Sequence, residues 1–223
     1  LRQCKPYDAA TWQTAYALQR VGNHEEIRSD LENVLQLYRH GDPLVRMNLA
    51  ALLGKIKDET RSFETLERLA EFDGDWRVRV NALKALSAFD LERHPETIRL
   101  FRRSFTSGPV YVSLTALSAF GNLLLRDTAA TGATGEAIRE LERISLNRGH
   151  ELLWQLQAEA ASSLAKLRGP AAARFIDLRE QPQRALQAQL IAALGRTGAP
   201  SALATLLPIV RGDEPVLARA ALD

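Results

Sequence analysis

The sequence predicts an all-α fold, a right-handed α-solenoid of about six helical hairpins stacked into a curved superhelix. Three observations carry it. A nine-residue string recurs at a nearly constant spacing, a second amphipathic run lies between successive copies, and no segment alternates with the period of two of a half-buried strand.

The string Val45-Arg46-Met47-Asn48-Leu49-Ala50-Ala51-Leu52-Leu53 aligns without a gap on Val78-Arg79-Val80-Asn81-Ala82-Leu83-Lys84-Ala85-Leu86. It recurs from Val112, Leu156, Leu186 and Val216, and more weakly from Ala10, so second helices are expected near 10, 45, 78, 112, 156, 186 and 216. The spacings are 35, 33, 34, 44, 30 and 30, close to one period apart from a single expansion. Within each copy the third, fifth, sixth and ninth positions are apolar or small, the spacing of one buried face on a helix of 3.6 residues per turn. The fourth position is polar throughout: Gln13, Asn48, Asn81, Thr115, Glu159, Gln189 and Arg219.

Between these strings lie the expected first helices: Glu25 to Tyr38, Arg61 to Phe72, Pro95 to Phe105, Gly135 to Leu146, Pro170 to Leu178 and Pro200 to Val210. Pro95, Pro170 and Pro200 suit a first helical turn, where a missing N–H costs no hydrogen bond. The small-residue stretch 127–135 reads as a loop insertion and accounts for most of the wide spacing. The whole of 1–223 is expected to be one repeat array.

Composition agrees with a globular helical chain: 46% hydrophobic and 25% charged residues exclude general disorder. A net charge of +2 from 29 basic and 27 acidic residues gives no one-signed field that would draw nucleic acid or anionic membrane to the whole surface. Cys4 is the only cysteine, which excludes an internal disulfide and a multi-cysteine metal site. The chain starts at Leu1 without a signal-peptide pattern and ends inside a helical pattern at Asp223, so it is expected to be a segment of a longer chain, cytoplasmic or periplasmic. Ser104 to Leu125 is free of charge and long enough to span a bilayer, yet Gly108, Pro109 and its serines favour a turn followed by a buried helix.

Gly41-Asp42-Pro43-Leu44-Val45-Arg46 and Gly74-Asp75-Trp76-Arg77-Val78-Arg79 resemble the HEAT signature, in which Asp, often Pro, and Val-Arg open the second helix. The copies at Val112, Leu156 and Leu186 lack both the aspartate and the arginine, and the one at Val216 has Leu217 in the arginine's place. The resemblance covers nearly the whole chain and is closest to the compact HEAT-like repeats, armadillo-like in architecture, that are common in bacterial proteins. The patterns of tetratricopeptide and ankyrin repeats are absent.

The resemblance implies a scaffold that binds a protein or peptide on the concave face lined by second helices. The expected contact stripe is Gln13, Asn48, Asn81, Thr115, Glu159 and Gln189, extended along the helices by Lys55, Lys84 and Asn122. Amides both donate and accept, as gripping an extended backbone requires, although any solenoid needs a polar inner face. The resemblance further implies an inter-repeat ladder of Arg46 and Arg79 with Asp42 and Asp75. More weakly, the array resembles those accompanying bacterial cyclophilin-type prolyl isomerases, in which another domain does the chemistry.

The segment itself is expected not to be an enzyme, and to hold no cofactor or metal. His24-Glu25-Glu26-Ile27-Arg28 has arginine where a zinc-protease helix needs its second histidine, and His40, His94 and His150 are isolated in sequence. Ser163 and Lys166 have the Ser-x-x-Lys spacing without its companion motifs. An alternative starts from Trp12, Trp76 and Trp154: HEAT-like alkylpurine DNA glycosylases use tryptophan, aspartate and arginine on the concave face, and Asp75, Trp76, Arg77 and Arg79 are the one cluster with those types. Trp76 at a turn equally suits packing between repeats, and nucleic acid is the less expected partner.

Overall fold

A computed structural model describes residues 11–21, 24–58, 60–106, 108–126, 132–148, 151–179, 181 and 183–222. Cys4, the string start at Ala10, His150 and 127–131 of the expected loop lie outside the described residues. The described residues form helices and no strand. By their internal contacts they divide into unit 1, Leu1–Ala119, and unit 2, Phe120–Asp223.

Unit 1 runs through α1 (Thr11–Arg20), α2 (Glu25–Ser29), α3 (Leu31–Leu35), α4 (Pro43–Ile56), α5 (Arg61–Phe72), α6 (Trp76–Leu86), α7 (Glu96–Ser104) and residues 110–119 of α8 (Val110–Arg126). The second helices α1, α4 and α6 pack side by side, and α5 lies against both α4 and α6. Asp42 stops the chain at the start of α4 by accepting from the Leu44 N–H at 2.8 Å, with Pro43 in the first turn; Asp75 caps α6 likewise from Arg77 at 2.8 Å. Lys57, left-handed at φ 52, ends α4. The apolar stripes meet in a core of Val45, Leu49, Leu53, Phe63, Leu66, Val78, Leu83 and Leu86, none more than 3% exposed. Each such side chain contributes about 1.5–3 kcal/mol by leaving water.

Glycine sets how closely α4 and α6 approach. A Cβ on Gly54 would stand 2.7 Å from the Ala85 Cβ. In unit 2 the same register recurs, with Gly121 of α8 against Ser163 of α10, where an added Cβ would lie 2.9 Å from Oγ.

Unit 2 continues with α9 (Gly132–Leu146), α10 (Trp154–Arg168), α11 (Arg184–Arg196), α12 (Pro200–Val210) and α13 (Pro215–Leu222). Here α10 packs on α9 and α11, and α13 on α11 and α12. Leu186, Leu190, Ile191 and Leu194 of α11 form the centre of its core, with Ala161, Ile176, Ala202 and Leu206 around them.

Three first helices depart from expectation. The run from Glu25 breaks at Asp30 (φ −114, ψ 25) into α2, α3 and the 3₁₀ turn Gln36–Arg39; Ser29 bonds the Glu26 carbonyl, a local alternative to the helical ladder. The helix expected at Pro170 to Leu178 is a 3₁₀ segment, Gly169–Phe175, after which Asp177 bonds Arg179 at the surface and accepts a side-chain bond on its own carbonyl from Gln181, local alternatives to the helical ladder. Helix α9 starts at Gly132, so residues 132–135 of the expected loop are helical. The charge-free stretch from Ser104 supplies the interior of α8, and no helix of the described residues is long and apolar enough to cross a membrane.

Candidate binding surface

The polar fourth positions of the second helices, taken within each unit, are unequally presented. Gln13 and Gln189 are exposed, Asn81, Thr115 and Glu159 half-buried, and Asn48 is only 5% exposed. Asn48 Nδ2 donates to the Leu44 carbonyl at 2.8 Å and Asn81 Nδ2 to that of Arg77 at 2.9 Å. Each amide thereby bonds its own helix four residues back, and Asn48 is a packing group more than an open contact.

Lys84 and Asn122 are exposed. Lys55, also exposed, donates to the Gln19 carbonyl and to Gln19 Oε1, tying α4 to α1. In unit 2, Arg196 reaches Ser162 Oγ of α10 at 3.4 Å.

In the expected inter-repeat ladder of Arg46 and Arg79 with Asp42 and Asp75, the arginines bond other groups. Arg46 forms a bidentate pair with Asp73, Nε to Oδ2 at 2.7 Å and Nη2 to Oδ1 at 2.9 Å, and donates to the carbonyls of His40 and Gly41. Asp42 is taken up by its cap. Asp75 pairs with Arg77, while Arg79 Nε donates to the Ala70 carbonyl at 3.0 Å and its guanidinium lies against Gly108. The Asp73 bond, larger than the opposing loss of hydration, raises the Arg46 pKa; the Arg77 bond holds the Asp75 carboxyl at about 2.

Unit 2 has the counterpart that sequence reading missed. Gln157 and Gln187 occupy the register of Arg46 and Arg79; Gln157 is fully buried and accepts from Asn147 Nδ2 at 3.3 Å, and Gln187 donates to the Gln181 carbonyl at 2.7 Å. The unbroken alignment of second positions was the available signal.

Aromatic residues also stand beside the stripe. Trp76 and Tyr111, at the starts of α6 and α8, stack with centroids 5.0 Å apart and planes 25° apart while staying 41% and 58% exposed. Trp12 and Tyr16 on α1 are exposed as well. Only tryptophans drew attention in the sequence; Tyr111 immediately precedes Val112, in the register of Arg77 and Leu44.

Of the cluster Asp75, Trp76, Arg77 and Arg79, both arginines are engaged within the protein. His94 stacks on Phe63 at 3.8 Å, and His40 Nδ1 accepts from the Asp42 N–H at 3.0 Å. Ser163 is buried where Gly121 lets α8 and α10 approach. Among the described residues no three His, Cys, Asp or Glu side chains converge as metal ligands.

Comparison with known proteins gives one family match: residues 31–121 fit the family described as HEAT repeats. The match ends short of the nearly whole-chain likeness expected, and the strings beyond it lack the Asp and Val-Arg signature. No curated protein matches the chain. Among solved structures it is similar to human deoxyhypusine hydroxylase in complex with glycerol, at 18% identity and a TM-score of 0.43, over 98% of this chain and 90% of that one. So distant a likeness assigns no activity here. It does correct the expectation that the segment is not an enzyme, because a chain similar along this length is a hydroxylase and helical hairpins are no ground for excluding catalysis. Over residues 31–121, then, the chain is similar to HEAT repeats.

Proposed function

We propose that this segment binds a protein partner along the exposed edge of the second helices of unit 1. The observation that carries the reading is the Trp76–Tyr111 stack, left open to solvent beside Arg77, Asn81, Lys84 and Thr115. Large aromatic faces next to polar groups that donate and accept are the composition of interface anchors. HEAT repeats generally serve to bind proteins, which supports a protein over other partner classes. Gln13 and Lys55 extend the same edge onto α1 and α4; Glu159 and Gln189 form the corresponding edge within unit 2.

The test is site-specific photocrosslinking in cells of the source organism, with the crosslinker at Lys84, at Thr115, or at Glu64 on α5 as control. The expectation is one protein species captured from Lys84 and Thr115 but not from Glu64, and lost on Trp76→Ala with Tyr111→Ala. Equal capture from Glu64, or capture indifferent to the aromatic pair, would remove the stripe from the account.

A further inference from the structure

The first-helix layer of unit 2 has a gap. Ahead of α10 and α13 stand α9, of 15 residues, and α12, of 11, but ahead of α11 there is only the seven-residue 3₁₀ segment Gly169–Phe175. After Phe175 the chain turns extended at Ile176 rather than completing a helix. The missing turns leave a groove of about 610 Å³ between the end of α9, at Leu146 and Arg148, and the first turns of α12, at Ser201 and Thr205. Ile176 and Leu194 contribute its apolar lining. A volume on the order of 300–1,000 Å³ is that of a specific binding site.

Its charge is one-sided. Arg148, Arg174 and Arg179 line it against a single carboxylate, Asp177, which Arg179 already holds through two bonds of 3.0 Å. Arg148 and Arg174 are exposed, and the Arg148 charge also helps hold the Asp177 carboxyl in its ionised form. The Arg174 guanidinium rests over the Phe175 ring, 4.6 Å from its centroid, which steadies the cation without neutralising it. From Leu146 and Arg148 a second depression of about 390 Å³ continues along α9, where Arg139 and Arg143 face Glu142 and Glu151 and Arg143 is held by Glu140. The partly apolar track, basic in its first part and of mixed charge beyond Arg148, is therefore longer than a small anion needs, and suits an extended chain.

We propose that this groove of unit 2 docks an acidic peptide segment of a partner protein, with carboxylates on Arg148 and Arg174 and an apolar side chain against Ile176 and Leu194. It is independent of the edge proposed for unit 1. Guanidinium to carboxylate is a charge-assisted bond of planar geometry, and the apolar lining sets register along the segment.

The test is fluorescence anisotropy of the full chain with a pool of fluorescein-labelled decapeptides, each carrying Glu or Asp around one or two Leu or Phe residues. The same pool with Gln and Asn replacing the acids is the control. The acidic pool should bind, with affinity falling at least about tenfold in Arg148→Ala and in Arg174→Ala, and falling as salt rises from about 50 to about 500 mM. Thr205→Glu, an exposed position, should weaken binding similarly while leaving the circular dichroism unchanged. Trp76→Ala with Tyr111→Ala should leave it untouched, which separates this groove from the unit 1 edge. The proposal is overturned if neither pool binds, if both bind equally, if the arginine variants bind as the parent does, or if the aromatic variants abolish binding. Octanoate binding in place of the peptides would overturn it too, in favour of a small amphiphile.

Discussion

At the second position of the recurring string, unit 1 places arginine on α4 and α6, and unit 2 places glutamine on α10 and α11. Each side chain ties its helix to a neighbouring turn, but their reach differs. Arg46 spans from the carbonyls of His40 and Gly41 to Asp73 in the following turn, joining one repeat to the next. Gln187 reaches back only to Gln181, and Gln157 meets only Asn147. The same register is thus filled by a charged bridge between repeats or by a neutral amide within one. A buried charged bridge is costly to break, since either partner alone is a desolvated charge.

The largest expected effect follows from that asymmetry. Arg46→Met strands the Asp73 carboxylate, whose side chain is 5% exposed, and should lower stability by about 3–5 kcal/mol in denaturant titration. Arg46→Met with Asp73→Leu should recover much of the loss. A cost below about 1 kcal/mol for the single change would mean that the bridge holds nothing together.

A second contrast concerns the glycines in one register of α4 and α11. Gly54→Ala drives a Cβ to 2.7 Å from that of Ala85 and 3.0 Å from its Cα, and should cost about 1–3 kcal/mol. Adding Ala85→Gly should relieve it. Gly195→Ala meets only Leu206 Cδ1, at 3.9 Å, and should stabilise α11 by up to about 1 kcal/mol through helix propensity. Thermal midpoints moving in the same direction for both would break the contrast.

Asp75 gives unit 1 an acid sensitivity. Its folded pKa of about 2 lies below the unfolded value near 4, so its contribution is complete above about pH 4 and lost as pH falls through about 2. Asp75→Ala should cost about 1 kcal/mol at neutral pH through the lost cap and flatten that acid loss. Hydrogen exchange of the α6 amides between pH 5 and pH 2 checks it.

The smallest effect is expected at Gln157. Its Nε2 has no acceptor among the described residues, so Gln157→Met removes a poorly satisfied buried amide and should change stability by less than about 1 kcal/mol. A loss as large as that of Arg46→Met would place the two registers on the same footing.

The repeat was legible because amphipathic periodicity is local. Val45, Leu49 and Leu52 fall on one face of a helix whatever packs against it, and Asp42-Pro43 and Asp75 mark helix starts through their own backbone. For the same reason the polar fourth positions were legible as a row. Their availability was not, since the burial of Asn48 depends on how deeply α4 sits between α1 and α6.

What the chain alone determined is therefore the helical hairpin and its period. Tertiary structure decided the rest: that Arg46 pairs with Asp73 rather than Asp42, that Trp76 finds Tyr111, and that the missing turns after Phe175 open a basic groove. The physical reason is one of range. A stripe of apolar residues is set by turns within a single helix, whereas these contacts join groups 27 or more residues apart and depend on the stagger between helices, which no single repeat encodes.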